Sequence, residues 1–223
     1  MLARLKGLAA DQVIGMRVVL SDGKLVRANA QENADLFWAL RGGNAGSFGV
    51  VTEYTINIFK TPQVTMFKIH YEPTVENFVT VANAWMKSYY NVDKRLTCQL
   101  NMRSDRFELI GQFTGPKTDA QSVLVKSGMT DESLSIQTIT INDKCSLVGI
   151  KAFIPTGGCG PTLADDMKVV SAAPHNTNKD YGKYKADYFS VPIPIVGLQK
   201  IANSVMNSPE TAWIQFEVLG MHF

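Results

Sequence analysis

Three side chains near the end of the chain have types and spacing suited to chemistry. Trp213, Gln215 and Glu217 alternate with Ile214, Phe216 and Val218. On a strand, successive side chains point to opposite faces, so the first three share one face and the apolar three the other. An apolar face belongs against a helix layer, which leaves an aromatic plate, an amide and a carboxylate together on the open side. Stacking with amide and acid hydrogen bonds is what recognition of a sugar or another polar ring requires. Tyr188 and Lys185, in Lys183-Tyr184-Lys185-Ala186-Asp187-Tyr188-Phe189, are further candidates, since an extended run would turn them outward.

A second candidate is made of backbone. Asp35 to Leu40 reads as a short amphipathic helix with Leu36, Phe37 and Leu40 on one face and Asn33 as its N-cap. Gly42-Gly43 is the expected stop. Gly46 and Gly49 keep the following loop free of side chains, so a bulky ligand could touch Gly42, Gly43, Gly49 and Val50 through their N–H groups. The run from Val50 to Ile58 is β-branched and apolar, as expected of a buried strand. The glycine spacing is neither G-x-G-x-x-G nor a P-loop, and a plain helix-to-strand connector is the competing explanation.

The elements around these candidates follow from periodicity and punctuation. Val13 to Leu20 and Leu25 to Ala28 flank Ser21-Asp22-Gly23-Lys24, a hairpin signal. Thr61-Pro62 breaks the pattern and predicts a boundary, giving domains 1–61 and 62–223. Beyond it, Met66–Tyr71, Leu96–Arg103, Arg106–Phe113, Leu134–Ile141 and Trp213–Leu219 read as strands. In the Leu134–Ile141 run, Ile136 is expected on the face opposite Ile141. Thr74–Tyr90 reads as a helix with Thr74 as N-cap and Phe78, Val81, Ala82, Trp85 and Met86 in the core; Lys117–Ser127 and Ile195–Met206 are two more. The region 154–180, rich in Gly, Pro, Asn and Asp, reads as a loop. The order predicts an α+β fold whose antiparallel sheet is covered by helices on one face.

Composition excludes several classes. Lys+Arg 22 against Asp+Glu 20 gives a net charge of +2, no electrostatic case for nucleic acid or an anionic membrane surface. The first ten residues carry charges where a signal peptide would be apolar, and no run is long enough for a membrane helix. Cys98, Cys145 and Cys159 are odd in number and lack zinc-ligand spacing; buried free thiols are expected. His70, His175 and His222 are scattered, and no metal site is expected.

The string DLFWALRGGNAGSFGVVTEYT resembles the signature of FAD-linked oxidases of the vanillyl-alcohol-oxidase type, with a PCMH-type FAD-binding domain. Within them it is most similar to the berberine-bridge-enzyme-like branch, with the glucooligosaccharide and 6-hydroxynicotine oxidases. The resemblance implies that 1–61 is the C-terminal part of the second FAD-binding subdomain and 62–223 an incomplete substrate-binding domain. It implies FAD as cofactor near Gly42, Gly43, Gly49 and Val50, at the diphosphate and adenine end. It also implies hydride transfer to flavin from a sugar, alcohol or alkaloid-like substrate. In that family a W-x-Q-x-D strand lines the pocket and its carboxylate assists a catalytic tyrosine. The resemblance gives Glu217 the catalytic role and Trp213, Gln215 and Tyr188 the substrate; Glu217 is one methylene longer than the family's aspartate. The family's diphosphate loop and its flavin-linking His and Cys precede the point where this sequence starts, and Gln12 replaces a usual asparagine. A fragment or truncated relative is therefore expected, with weak or absent FAD binding by itself and self-association through the exposed FAD-domain face. The alternative is a non-catalytic binding remnant that no longer holds FAD.

Overall fold

The computed structural model describes residues 2–89, 93–145, 159–160, 162, 164–165, 167–168, 187, 191–208 and 212–217. Two compact units divide between Thr61 and Pro62.

In the first unit, the short helix α1 (Ala3–Lys6) precedes a three-stranded antiparallel sheet of β1 (Val13–Val19), β2 (Leu25–Asn29) and β3 (Val50–Ile56), in the order β2-β1-β3. The β1–β2 turn closes through the Leu20 N–H to the Lys24 carbonyl at 2.9 Å, with Gly23 at φ +81°, a left-handed conformation that glycine adopts without a Cβ clash. Helix α2 (Ala34–Leu40) lays Phe37 and Leu40 over Met16, Val18 and Ala28.

Two expectations fail here. Asn33 occupies the N-cap position of α2 but turns left-handed (φ 50°), and its amide donates to the Arg27 carbonyl at 2.6 Å instead of capping the helix. The strand from Val50 is not buried. β3 lies at the sheet edge with Val50, Tyr54 and Ile56 exposed, and Val51 half-buried against the α2 cluster. A β-branched composition reports strand propensity and says little about which faces a neighbour covers.

The second unit carries the larger core. Its strands are β4 (Val64–Tyr71), β5 (Leu96–Arg103), β6 (Phe107–Thr114), β7 (Ile136–Cys145) and β8 (Trp213–Glu217), all antiparallel in the order β7-β4-β6-β5-β8. Helices α3 (Val75–Tyr89), α4 (Lys117–Lys126) and α5 (Ile195–Met206) pack on one face. Phe78, Val81, Ala82, Trp85 and Met86 of α3 meet Phe67, Ile69, Tyr71, Phe107 and Leu109 of the sheet, and α5 adds Leu198, Ala202 and Val205. The Thr74 hydroxyl caps α3 by accepting from the Asn77 N–H at 3.1 Å. Gly111 is a strand residue with no side chain to pack because the Phe67 ring fills the space a Cβ would need.

Two more expectations are corrected. An irregularity in the β4–β7 register pairs Tyr71 with Ile136 and His70 with Thr138, so both Ile136 and Ile141 pack against the helix-side core. A single extra residue reverses the phase of an alternating strand. Cys145 and Cys159 are joined in a disulfide, with Cα atoms 5.6 Å apart; Cys98 alone is a free, buried thiol, and it accepts from the Trp85 indole N–H at 3.3 Å. An odd count hides a pair when the third cysteine is core packing.

Candidate functional site

The face of the five-stranded sheet opposite the described helices carries polar side chains on β8, β5, β6 and β4, alongside buried Val64, Met66 and Ile110 on its inner strands. On β8, Phe216 enters the core with ring centroids 5.9 Å from Phe78 and 6.0 Å from Trp85, and Ile214 packs beside it. Alternation therefore places Trp213, Gln215 and Glu217 on the opposite face. Trp213 is 48% exposed, Gln215 half-buried and Glu217 exposed. The Gln215 amide donates to the Glu217 carboxylate, which orients both groups along the strand.

The register extends this group to residues the sequence did not single out. Gln99, Asn101 and Arg103 of β5 stand opposite Glu217, Gln215 and Trp213, all three half-buried. Asn101 in turn faces Glu108 of β6, and Glu108 faces His70 of β4. A polar file thus crosses the sheet from Gln215 through Asn101 and Glu108 to His70. The signal for it was present in the alternation of β5, where Thr97, Gln99, Asn101 and Arg103 interleave with buried Leu96, Cys98, Leu100 and Met102. It could be recognised only once the strand order was known.

Glu108 is the buried charge of the file, with a side chain nine-tenths covered. Its Oε2 lies 3.6 Å from Lys68 Nζ and 3.8 Å from His70 Nδ1, and it accepts no hydrogen bond among the described residues. His70 is held below its ordinary pKa, first by burial and then by the Lys68 charge, against the opposing pull of Glu108. At neutral pH the ion pair is therefore Lys68–Glu108, with His70 a neutral polar neighbour. The Asn101 Oδ1 is likewise buried without a hydrogen-bond partner among the described residues.

The glycine loop has a divided character. The Gly43 N–H is committed to the Ala39 carbonyl at 2.8 Å, and a Cβ at Gly43 would stand 2.7 Å from that same oxygen. At Gly49 (φ +146°) a Cβ would stand 2.7 Å from the Val19 carbonyl, so this glycine is required by the fold itself. Gly42 and Gly46 differ: added Cβ atoms would meet open space at the first and only the Asn44 side chain at 3.9 Å at the second. Val50 is 67% exposed. The bare, open backbone at 42 and 46 fits the approach of a planar or phosphorylated group through main-chain contacts alone.

Tyr188 and Lys185 lie outside the described residues, as does nearly all of the 154–180 stretch. A separate polar cleft of about 460 Å³ opens on the first unit's sheet, lined by Gly15, Arg17, Arg27, Asn29, Glu53 and Thr55 among others. Arg17 and Glu53 form an exposed pair there at 3.5 Å.

No family model matches the chain. Curated proteins do. The FAD-linked oxidoreductase pytB of Aspergillus terreus is 29% identical over 178 residues, which is 79% of this chain and 22% of that protein. Berberine bridge enzyme-like 25 of Arabidopsis thaliana is 28% identical over 208 residues, 89% of this chain and 37% of that protein. Among solved structures, Phl p 4, a grass pollen allergen with glucose dehydrogenase activity, shares the fold with a TM-score of 0.75 and 25% identity, over 99% of this chain and 43% of that one. The chain thus spans 22% to 43% of the length of these proteins.

Proposed function

We propose, from the premise that the chain's relatives are FAD-linked oxidoreductases including berberine-bridge-enzyme-like proteins, that it forms the substrate-facing sheet and one wall of the flavin site of an oxidase-type enzyme. Its substrate is a sugar, alcohol or alkaloid-like molecule, with a polyhydroxylated ring favoured by the site's chemistry. The flavin supplies the hydride acceptor when bound. Everything else asked of this chain is binding and proton handling.

The observation that carries the reading is the β8 face. Trp213 offers an apolar plate against which a ring can stack, and Gln215 and Glu217 present an amide and a carboxylate on the same side. The Gln215–Glu217 hydrogen bond fixes the carboxylate's direction and leaves it able to accept from a further donor. In the proposed role, Glu217 accepts a hydrogen bond from the group that removes the substrate's hydroxyl or amine proton, raising that group's basicity. Asn101 and Gln99, facing from β5, complete an array that holds the ring in one orientation.

The 1–61 unit serves as the remainder of a PCMH-type FAD domain and 62–223 as the substrate domain. The test is anaerobic: the FAD-loaded protein is mixed with glucose, with an aromatic alcohol and with a secondary amine, and the flavin band is followed. Bleaching by one of them supports the reading. A protein that takes up no FAD and bleaches with none would instead be a binding module.

A further inference from the structure

We infer that the polar cleft on the three-stranded sheet of the first unit binds a phosphate monoester, with Arg17 and Arg27 as its two charged contacts. The sheet lies within 1–61, so the inference goes beyond the substrate reading and does not depend on it.

Two register rows build the cleft. In the first, Arg17 of β1 stands between Arg27 of β2 and Glu53 of β3; in the second, Gly15 stands between Asn29 and Thr55. Helix α2 covers Met16, Val18 and Ala28, so both rows lie on the other face of the sheet. Gly15 is the centre of the second row, and the fold does not require a glycine there. Its φ lies outside the left-handed range, and an added Cβ would make only ordinary contact, 3.6 Å from the Thr55 Cβ. A glycine inside a strand forfeits side-chain packing and costs backbone entropy. What this one provides is a bare floor between the Asn29 and Thr55 side chains.

Sheet stability does not account for the charges either. Like charges directly opposite on paired strands destabilise the pairing, yet Arg17 and Arg27 face each other. Glu53 meets Arg17 at 3.5 Å, and Arg27 has no ion-pair partner among the described residues. The Asn29 Oδ1 accepts from the Gln31 and Glu32 N–H groups, both at 2.8 Å, which leaves its NH2 to donate. The Thr55 hydroxyl adds another donor to the lining. Positive charge and donors are both in excess.

That excess selects the ligand. A carboxylate has two oxygens and is satisfied by one guanidinium in a bidentate pair. A phosphate monoester brings three terminal oxygens and close to two negative charges at neutral pH, which two guanidinium groups on adjacent strands can share. The cleft, of about 460 Å³, leaves room beyond the phosphate for a small organic body. It is not the loop read as the flavin wall. Gly49 stands against Val19, at the other end of β1 from Gly15 and about 13 Å along the strand.

The experiment titrates the full chain with phenyl phosphate and with benzoate at pH 7.5, by calorimetry and by NMR of the backbone amides. Phenyl phosphate should bind at least about tenfold more tightly than benzoate, and less tightly as salt is raised. At pH 5 the phosphate becomes a monoanion and binding should weaken. Arg27→Met should lower the affinity at least about tenfold. Lys126→Met, which removes an exposed charge from α4 in the second unit, should leave it unchanged. Gly15→Val raises a side chain from the floor while suiting a strand, so it should fold and lose binding. No binding of phenyl phosphate up to about 10 mM, or equal affinity for benzoate, overturns the site. So does unchanged affinity in Arg27→Met or in folded Gly15→Val. An equal loss in Lys126→Met would reduce the attraction to net charge and overturn it too.

Discussion

Asn101 of β5 and Gln215 of β8 are register partners on the sheet face opposite α3, α4 and α5, two amides placed side by side. The Asn101 Oδ1 has no hydrogen-bond partner among the described residues. An unsatisfied buried acceptor costs stability, so Asn101→Val should leave the unfolding free energy from chemical denaturation unchanged or raise it by up to about 1–2 kcal/mol. The same variant should weaken sugar binding. Destabilisation by more than 1 kcal/mol would mean that Asn101 is a structural residue.

Glu217 can be separated from its neighbours by charge. Glu217→Gln keeps the shape of the side chain. In an FAD-loaded enzyme assembled with the flavin-linking segments of a full-length relative, it should lower turnover by roughly 10²-fold, the scale of a positioned acid–base contribution. Unchanged turnover with altered unfolding would make Glu217 an ordinary strand residue.

His70 predicts a pH dependence of known sign. Its folded pKa lies below the ordinary 6.5 because burial and Lys68 disfavour the imidazolium. The unfolded chain therefore binds the proton more readily, and the folded state loses stability as pH falls below about 6.5. Comparing unfolding midpoints at pH 7.5 and 5 for the native chain and His70→Gln isolates this contribution. The native chain should lose more on acidification than the variant, and an equal loss in both would refute the assignment.

Tyr71 tests the core. Its phenol donates to the Met129 carbonyl at 2.7 Å, and burial pushes its pKa far above the ordinary value of 10. Tyr71→Phe leaves that carbonyl without its donor and should cost about 1–3 kcal/mol by urea unfolding. Because the phenol stays protonated while the fold persists, difference absorbance near pH 10 should count one tyrosine more in Tyr71-containing protein after denaturation than Tyr71→Phe gains on the same treatment.

The glycines of the loop should divide into two kinds. Gly49→Ala puts a Cβ 2.7 Å from the Val19 carbonyl at φ +146° and should lower the unfolding temperature. At Gly46 an added Cβ comes no nearer than 3.9 Å, to the Asn44 side chain, so Gly46→Leu should fold normally. If the loop backbone is the flavin wall, Gly46→Leu should weaken FAD binding measured by quenching of flavin fluorescence. One wall alone should bind FAD more weakly than micromolar, since immobilising the ligand costs several kcal/mol.

What the sequence revealed and what it concealed follow physical lines. The sheet-and-helix layering was legible because α3 and α5 repeat at helical period and β8 alternates: Phe216 in, Glu217 out. The strand order was not, because register partners such as Asn101 and Gln215 are local in space and far apart in sequence. Hence Trp213, Gln215 and Glu217 could be singled out from one strand, while their alignment with Asn101, Glu108 and His70 could not. Val50 and Ile56 misled because an edge strand and a buried one share the same apolar composition. Ile136 misled because a bulge changes phase without leaving a mark in residue type.

The link between Cys145 and Cys159 turns the intervening stretch into a covalent ring closed across 14 positions of sequence. Cleavage of any one peptide bond between those cysteines would leave the polypeptide in one piece. A protease that nicks the chain there gives a product unchanged in mass apart from one added water, and it separates into two fragments only on reduction. The strands on either side of the nick, β7 before it and β8 after it, would stay tethered to each other. In a chain nicked there, retention of β8 would depend on the thiol–disulfide poise of the surroundings as well as on the hydrogen bonds that hold it to β5.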